Sequence, residues 1–347
     1  MILFPDTKLQ EVVIHKVGNR THDEGVQISK SVLKPGEEIK NVLMAYFLSP
    51  FKSNALFNFN HDYNIELNEI YSYASKIFDD PELLYDQSIN IANHLYAQST
   101  HPKIKEGELY VCYFSQIILD DEEADAIGIF KSETKETFLK VFMNNDNYNV
   151  ETQNGININK LDKGCLIFNT EKERGYVLAI VDNLNKSSDA VFWKDEFLKV
   201  SERNDDFFQT KETIKLCKNF VENKLPQIFD INKADQAAFL NKSMAYFKEK
   251  EEYNLEDFAK EVIGQPEIIE SFNDFKNSYE EDHDIKFASD FSIENSAVKQ
   301  QSKTMKSIIK LDKNFHLYVH GGRDNMVKGF DEEKGLNFYQ LFYKEEK

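Results

Sequence analysis

Residues 108–119, ELYVCYFSQIIL, are rich in β-branched and aromatic side chains, which is typical of a buried β-strand. Four more runs of this kind follow, separated by polar turns: ADAIGIFKS (124–132), ETFLKVFMN (136–144), GCLIF (164–168) and YVLAIVDN (176–183). Strands that succeed one another in this way predict an antiparallel sheet or meander. None of these runs is followed by a glycine-rich loop and a helix at nucleotide-binding spacing.

The segment before this sheet is predicted to mix strands and helices. Two strands and then two helices are expected, in this order: EVVIHKVG (11–18), GVQISKSVL (25–33), EEIKNVLMAYFLSPF (37–51) and IELNEIYSYASKIF (65–78). Asp80 before Pro81 has the N-cap and first-turn chemistry that begins a further helix. We therefore expect residues 1–204 to form a mixed α/β domain with a mainly antiparallel sheet.

From Asp205 onward, the apolar residues recur at helical spacing. Four helical segments are predicted: 205–226, which is expected to end at Pro226, 233–250, 255–264 with Gly264 as its C-cap, and 266–281. Strand-like runs return in SIIKLD (307–312), FHLYVHG (315–321) and FYQLFYKEE (338–346). We therefore expect residues 205–347 to form a helical domain that ends in a few strands, which makes the predicted fold class α+β.

The composition excludes several classes of protein. A chain of 347 residues with 28 Phe and 16 Tyr has the length for two domains and the side chains for a core, so it is not wholly disordered. No run of 18 apolar residues occurs, so no membrane span is expected, and the first residues lack the features of a signal peptide. Cys112, Cys165 and Cys217 lie far apart without a CxxC pair, which favours reduced, buried thiols.

The charge of the chain is unevenly distributed. Lys and Arg number 42 and Asp and Glu 60, which gives a net charge of −18 and argues against a protein that coats nucleic acid over its whole surface. Residues 251–296, the acidic stretch, hold 14 acidic residues and three lysines. Residues 299–328, the basic tract, carry six lysines and one arginine against two aspartates: Lys299, Lys303, Lys306, Lys310, Lys313, Arg323 and Lys328.

The spacing of these lysines fits either secondary structure. In a helix, Lys299, Lys303 and Lys306 share one face. In a strand, Lys310 has the parity opposite to that of Ile309. Clustered cations of this kind can neutralise DNA phosphates, so the basic tract is the candidate nucleic-acid site. The alternative interpretation is a solvated face whose lysines pair with the acidic stretch.

Candidate catalytic and metal-binding residues are weak by comparison. His316 and His320 would share a face of a strand, too far apart to hold a metal without a third ligand. The acidic run DDEEAD (120–125) has no accompanying phosphate-binding loop and is predicted to be a polar loop between strands. Asp162 and Asp182 lie at strand ends, where a metal-dependent nuclease can place carboxylates. No catalytic residue, metal ligand or cofactor-binding residue is therefore assigned.

Trp193, the one tryptophan, lies in AVFWKDEFLKV (190–200). An exposed aromatic ring beside lysines can stack on bases. A place in a core or at a domain interface is the commoner environment for such a residue. We therefore assign Trp193 no role in binding.

Several long segments resemble the bacterial nucleoid-associated protein family, in the branch found in Bacteroides-like bacteria. The similarity lies in residues 10–18 (QEVVIHKVG), 157–183 (NINKLDKGCLIFNTEKERGYVLAIVDN), 203–226 (RNDDFFQTKETIKLCKNFVENKLP), 233–272 (the predicted helices around KADQAAFLNKSMAYFKEK) and 306–322 (KSIIKLDKNFHLYVHGG). It extends over nearly the full length and is a likeness of overall pattern, without a short catalytic motif.

The resemblance implies a cytoplasmic protein of the bacterial nucleoid that associates with DNA, without a reaction or a cofactor. The assignment of the basic tract as the DNA site comes from the charges and not from the resemblance. A module that reaches the nucleoid through a protein partner, with the acidic stretch as its contact surface, is the alternative, and a metal-dependent nuclease is a weaker one. A homo-oligomer is compatible with the sequence, and no membrane association is expected.

Overall fold

The structure is a computed structural model in which the chain forms two compact units, Met1–Arg203 and Asn204–Lys347. It describes five stretches of the chain: residues 2–52, 55–184, 192–305, 308–319 and 326–345. The first unit is built on a large antiparallel sheet, and the second is mainly helical with short strands toward its end. The predicted α+β class is therefore confirmed.

The first unit contains three α-helices and eleven strands within the described ranges. In chain order they are β1 Ile2–Leu3, β2 Lys8–Val17, β3 Val26–Gln27, α1 Glu37–Leu48, β4 Leu56–Phe59, α2 Glu69–Asp79, α3 Leu84–Gln98, β5 Gly107–Leu119, β6 Glu122–Ser132, β7 Glu136–Asn144, β8 Asn147–Gly155, β9 Lys163–Phe168, β10 Val177–Asp182 and β11 Val200–Glu202. A π-helical turn, Phe192–Leu198, precedes β11.

The main sheet has the strand order β11-β4-β10-β9-β6-β5-β2-β3, and β1 also pairs with β5. All of these pairs are antiparallel, so that part of the sequence prediction is confirmed. The sheet is not a simple meander, because β2 pairs with β5 and β4 lies between β10 and β11. β7 and β8 form a separate two-stranded hairpin between β6 and β9.

Strand β5 has apolar side chains on both of its faces, and helices cover both faces of the sheet. Leu109 and Val111 belong to the core cluster that includes α2 and α3. Tyr110 and Cys112 face the other way and pack with residues of α1. A strand buried on both sides reads as a continuous apolar run instead of an alternating one, which explains the pattern of residues 108–119.

Local chemistry sets several boundaries that the sequence indicated. The Asp80 side chain accepts a hydrogen bond from the amide of Glu82 at 3.1 Å, so the predicted cap before Pro81 is confirmed. Asp120 and Asp121, with φ angles of 49° and 68°, form the two-residue turn between β5 and β6. Two successive positive φ angles are typical of a type I′ hairpin turn. The predicted loop is therefore confined to Asp120 and Asp121, and the prediction is wrong for residues 122–125, which pair with β5 as the start of β6.

The second unit contains six α-helices and six strands within the described ranges. They are α4 Asp206–Asn219, α5 Leu225–Ile228, α6 Lys233–Glu249, β12 Glu252–Asn254, α7 Leu255–Phe258, α8 Pro266–His283, β13 Asp290–Ser292, α9 Asn295–Ser302, β14 Ile308–Leu311, β15 Phe315–Tyr318, β16 Met326–Asp331 and β17 Leu336–Leu341. The strands pair as three antiparallel two-stranded ladders, β12–β13, β14–β15 and β16–β17, of which the last two are hairpins.

One predicted helix end in the second unit is wrong. The helix expected to stop at Pro226 continues through a π-helical turn, Phe220–Lys224, into α5. Pro226 lies in the first turn of α5, directly after the π-helical turn. The predicted C-cap is confirmed: Gly264 has a φ of 77° and its amide donates to the carbonyl of Ala259 at 2.8 Å.

Residues with potentially reactive or stacking side chains lie in the cores. Cys112, Cys165 and Cys217 are completely buried, and burial raises the pKa of each thiol. Trp193 is also completely buried, so it is a core residue and has no surface on which a base can stack. No helix in the described ranges combines the length and apolar content that a membrane crossing needs.

The buried leucine Leu166 on β9 gives a direct test of the core of the first unit. It is completely buried in the cluster that includes α1, so Leu166→Ala is expected to lower the free energy of unfolding by about 2–5 kcal/mol through the cavity it leaves. The matched variant Leu67→Ala removes a leucine that is 57% exposed and should cost less than about 0.5 kcal/mol.

Urea unfolding followed by Trp193 fluorescence measures both variants, because that ring lies in the same unit. Equal losses for the two variants would contradict the assigned core.

Candidate nucleic-acid interface

The basic tract begins within helix α9 of the second unit and continues into its last strands. Five of its seven cations are described and all five are exposed: Lys299 in α9, Lys303 at the end of α9, Lys310 in β14, Lys313 in the turn after β14, and Lys328 in β16. Lys306 and Arg323 lie outside the described residues. The tract is therefore partly helix and partly strand, with the change between Lys303 and Lys310.

Helix α9 presents its lysines to solvent because its other side is apolar. Ala297 and Val298 are buried in the second unit, whereas Lys299 is exposed. Lys303 follows one helical turn later in a right-handed helical conformation, with φ −70° and ψ −27°. Residues four apart on a helix lie on the same side, so Lys299 and Lys303 form a pair of neighbouring cations.

A third lysine, from a distant part of the sequence, reaches the same end of α9. Lys218, in α4, donates a hydrogen bond from Nζ to the carbonyl oxygen of Thr304 at 3.0 Å. A cation is favourable near the carbonyl end of a helix. Local charge in the sequence does not reveal this contact, because Lys218 lies more than eighty residues before the tract.

In the β14–β15 hairpin the lysine and the apolar residues face opposite ways. Ile309 is buried against α6, whereas Lys310 is exposed and lies directly opposite exposed His316. Tyr318 has the same parity as His316 and is 59% exposed. The solvent side of this hairpin thus combines a cation with an aromatic ring, a pairing suited to phosphate and base contacts.

The remaining two described cations have different surroundings. Lys313 is exposed in the turn after Asp312, which has a positive φ of 49°. Lys328 lies opposite Tyr339 in the β16–β17 hairpin, whose turn begins at Asp331. Since that turn is acidic, the negative charge of DNA is less favoured near Lys328 than near Lys310 and Lys313.

Helix α6 supports both halves of the tract. Leu240 and Met244 of α6 are in the same core cluster as Val298 of α9. Ala234, at the start of α6, packs with Ile309 of β14. The helical lysines and the strand lysines are therefore carried by two elements, α9 and β14, that pack on the same helix.

Buried polar contacts fix the chain that leads into α9. The Gln209 side chain of α4 accepts from the amide of Ala288 at 2.9 Å and donates to the carbonyl of Lys286 at 2.8 Å. Thr210 accepts from the amide of Glu294 at 3.0 Å. These contacts set where α9 begins.

Glu280, near the end of α8, also fixes the position of the segment between α8 and α9. It accepts from the amide of Phe287 at 2.9 Å and lies within 3.3 Å of the ammonium groups of Lys276 and Lys286. Burial acts to raise the pKa of Glu280, but these hydrogen bonds outweigh it, and the pKa lies below its ordinary value.

Charge pairing separates the basic tract from the acidic stretch. Three glutamates of the acidic stretch form ion pairs with nearby lysines. Glu256 pairs with Lys260, and Glu261 pairs with Lys250. Glu280 pairs with both Lys276 and Lys286. None of the five described cations of the basic tract forms an ion pair with another described residue. The interpretation of the tract as a face neutralised by the acidic stretch is therefore not supported by the described contacts.

The two carboxylates considered for a nuclease site, Asp162 and Asp182, form structural hydrogen bonds and ion pairs. Asp162 accepts from the amides of Glu133 at 2.6 Å and Thr134 at 2.7 Å, and Asp182 pairs with buried Lys163 at 3.0 Å. Among the described residues, no group of three or more His, Cys, Asp or Glu side chains is arranged to hold a metal. His316 is exposed on β15, and His320 lies outside the described residues.

Comparison with known proteins identifies one family. The family described as nucleoid-associated protein YejK matches residues 13–335, nearly the whole chain, and the match includes α9 and β14–β16. No curated protein matches the chain in sequence. The resemblance to a bacterial nucleoid-associated family is therefore confirmed, whereas the Bacteroides-like branch stays a prediction.

The lowered pKa of Glu280 predicts a pH dependence for the second unit. Its contribution to stability is fully present above the ordinary glutamate pKa of 4.5 and is lost as the pH falls through the lower pKa of the folded state. Glu280→Gln should therefore cost about 1 kcal/mol at pH 7, and the difference from the wild type should shrink below about pH 4.5.

Calorimetric unfolding at pH 7 and pH 3.5 measures this difference, with Glu281→Gln, at an exposed neighbouring position, as the matched control. A Glu280→Gln effect that is the same at both pH values would show that the carboxylate charge is not what holds the segment.

Proposed function

Because the chain belongs to the nucleoid-associated protein YejK family, we propose that it binds DNA directly, with the basic tract as the contact surface. The observation that carries this proposal is the set of five exposed lysines that have no ion-pair partner among the described residues. The proposed activity is binding without catalysis and without a cofactor. It belongs on the nucleoid, in the bacterial cytoplasm.

Phosphate contact is the form of recognition that these residues favour. Each lysine ammonium is a compact charge on a flexible stem, which suits a phosphate oxygen better than the edge of a particular base. Neutralised phosphates release their counterions, and this release drives binding that does not depend on DNA sequence. Tyr318, exposed on the side of the hairpin that carries Lys310, adds a ring that can stack where a base is accessible.

The negative charge of the rest of the chain limits the contact. A net charge of −18 repels DNA from most of the surface. The acidic stretch precedes the basic tract directly in the sequence, so DNA is attracted to one region and excluded from its neighbour. We therefore propose a confined site, in contrast to the continuous coating made by strongly basic proteins.

A protein partner is the competing explanation for nucleoid association. Twelve of the fourteen carboxylates of the acidic stretch are exposed, with Glu280 buried and Glu294 half-buried. Such a surface can attract a basic partner. Loss of nucleoid association in cells without loss of DNA binding in vitro, on reversing acidic residues such as Glu267 and Glu270, would favour this alternative.

The salt dependence of binding tests the proposal first. Fluorescence anisotropy with a labelled duplex should show that log K falls by roughly 4 to 5 for each tenfold rise in salt, if each of the five described lysines neutralises one phosphate. A duplex of unrelated sequence should bind with similar affinity. Absence of binding at low salt would refute direct DNA recognition.

Charge reversal tests the assigned surface. The triple variant Lys299→Glu, Lys303→Glu, Lys310→Glu should bind more weakly and lower the magnitude of the salt slope by about 3. The matched control reverses Lys8, Lys30 and Lys34, three exposed lysines of the first unit, and so changes the net charge equally. Equal loss of binding in both variants would show that total charge, and not the basic tract, determines affinity.

A further inference from the structure

The β7–β8 hairpin is the least covered part of the first unit. Its two strands pair with each other over nine residues, from Glu136 opposite Gly155 to Asn144 opposite Asn147, and with no strand of the main sheet. Asn145 and Asp146, with φ angles of 47° and 62°, close the turn between them. The hairpin is thus an extended two-stranded arm.

One face of this arm is mainly apolar and carries no side chain that is charged at neutral pH. It consists of Thr137, Leu139, Val141 and Met143 on β7 and of Tyr148, Val150, Thr152 and Asn154 on β8. Its five large apolar residues are between 60% and 75% exposed: Leu139, Val141, Met143, Tyr148 and Val150. We call this set of residues the uncharged face.

The other face of the arm has a different chemistry. Lys140 and Glu151 lie opposite each other there and form an ion pair at 2.9 Å. The Lys140 ammonium also lies 5.5 Å from the centre of the half-buried Phe142 ring. The charged side chains of this face therefore have partners, whereas the large apolar side chains of the uncharged face are mostly exposed.

The base of the arm is firmly attached to the first unit. Glu136 accepts hydrogen bonds from Lys160 at 2.7 Å and from Asn157 at 2.9 Å. Just before it, the amide and hydroxyl of Thr134 both donate to Asp162, and Lys135 pairs with Glu108. The arm therefore has a defined root, and its exposure is not that of a loose loop.

From these observations we propose that the uncharged face is a homodimer interface, in which the arms of two copies of this chain stack face to face about a twofold axis. An isolated two-stranded sheet is marginally stable in water, and a second layer over its apolar face supplies the missing burial. Two such sheets pack about 10 Å apart with their side chains interdigitated. Val141 and Val150, which lie opposite each other at the centre of the face, are placed nearest the axis.

Charge identifies a second copy as the occupant. Two chains that each carry a net charge of −18 repel each other over most of their surface and can approach through a region without charge. A basic partner would be attracted to acidic surface, which this face does not have. A twofold interface joins the same patch on both copies, so an apolar, uncharged patch is complementary to itself.

The size of the arm sets the strength of the dimer. The hairpin from Glu136 to Gly155 offers fewer residues on its uncharged face than the roughly 20–30 per side of a standard interface. We therefore expect a reversible dimer whose population depends on protein concentration. The proposal stands independently of DNA binding, because it uses no residue of the basic tract.

Sedimentation velocity of the full chain over roughly 1–100 µM, the range in which a small interface dissociates, tests the proposal. The wild type should pass from monomer to dimer. Val141→Glu should stay monomeric, because it buries two like charges near the axis, whereas Asn149→Glu should dimerise as the wild type does. Asn149 is an exposed residue on the opposite face of the same hairpin, so it controls for the added charge.

A mixing experiment identifies the symmetry of the contact. Val141→Lys alone should also be monomeric, and an equimolar mixture of Val141→Lys and Val141→Glu should form a heterodimer, because opposite charges then meet across the axis. Val141→Thr keeps the shape of valine and should weaken the dimer about tenfold. This variant tests the interface even if the charged variants disturb the hairpin. A wild type that remains monomeric, or a dimer that Val141→Glu leaves intact, would overturn the proposal.

Discussion

A group of buried charges at one end of the main sheet holds together the strands from which the rest of the first unit is built. Lys131 pairs with Glu133 at 3.0 Å, and Lys163 pairs with Asp182 at 3.0 Å, with all four side chains less than 10% exposed. Burial lowers the pKa of Lys131, and Glu133 opposes that shift. Removal of one partner from such a pair leaves a buried charge and costs about 3–5 kcal/mol. Together with Asp162, these pairs fix the point at which the chain leaves β6 for the hairpin and returns to β9.

The second unit exposes a group of lysines although the chain as a whole is acidic. Helix α6 packs on α9 and on β14 through apolar residues, so the lysines of both elements remain at the surface. Three of the fourteen carboxylates in the acidic stretch, Glu256, Glu261 and Glu280, have lysine partners of their own. The exposed lysines and most of the exposed carboxylates therefore lie in different, consecutive segments of the unit. This separation reconciles membership of a nucleoid-associated family with a strongly negative net charge.

Sequence patterns predicted the strands with long apolar or aromatic runs and missed shorter or more polar ones, such as β4 and β8. Strand β5 was recognised because both of its faces are apolar, and the cap at Asp80 because its chemistry is local. Strand β8, NYNVETQNG, was missed because it is polar and owes its structure to hydrogen bonds with β7. Lys218 was missed because only the fold brings α4 to the end of α9. The role of the basic tract stays a prediction, since charge spacing alone does not reveal what binds there.

The strand order of the main sheet also determines when it can form during synthesis. Strand β4, Leu56–Phe59, pairs with β10 and β11, which the ribosome makes more than a hundred residues later, Val177–Asp182 and Val200–Glu202. Strand β2 likewise has no partner of its own length until β5 has been made. Pairings between such distant segments form slowly, because a long loop must close before any contact stabilises it. Unpaired strand edges therefore remain in the nascent chain until Glu202 has been made, and such edges can pair with other chains during this interval.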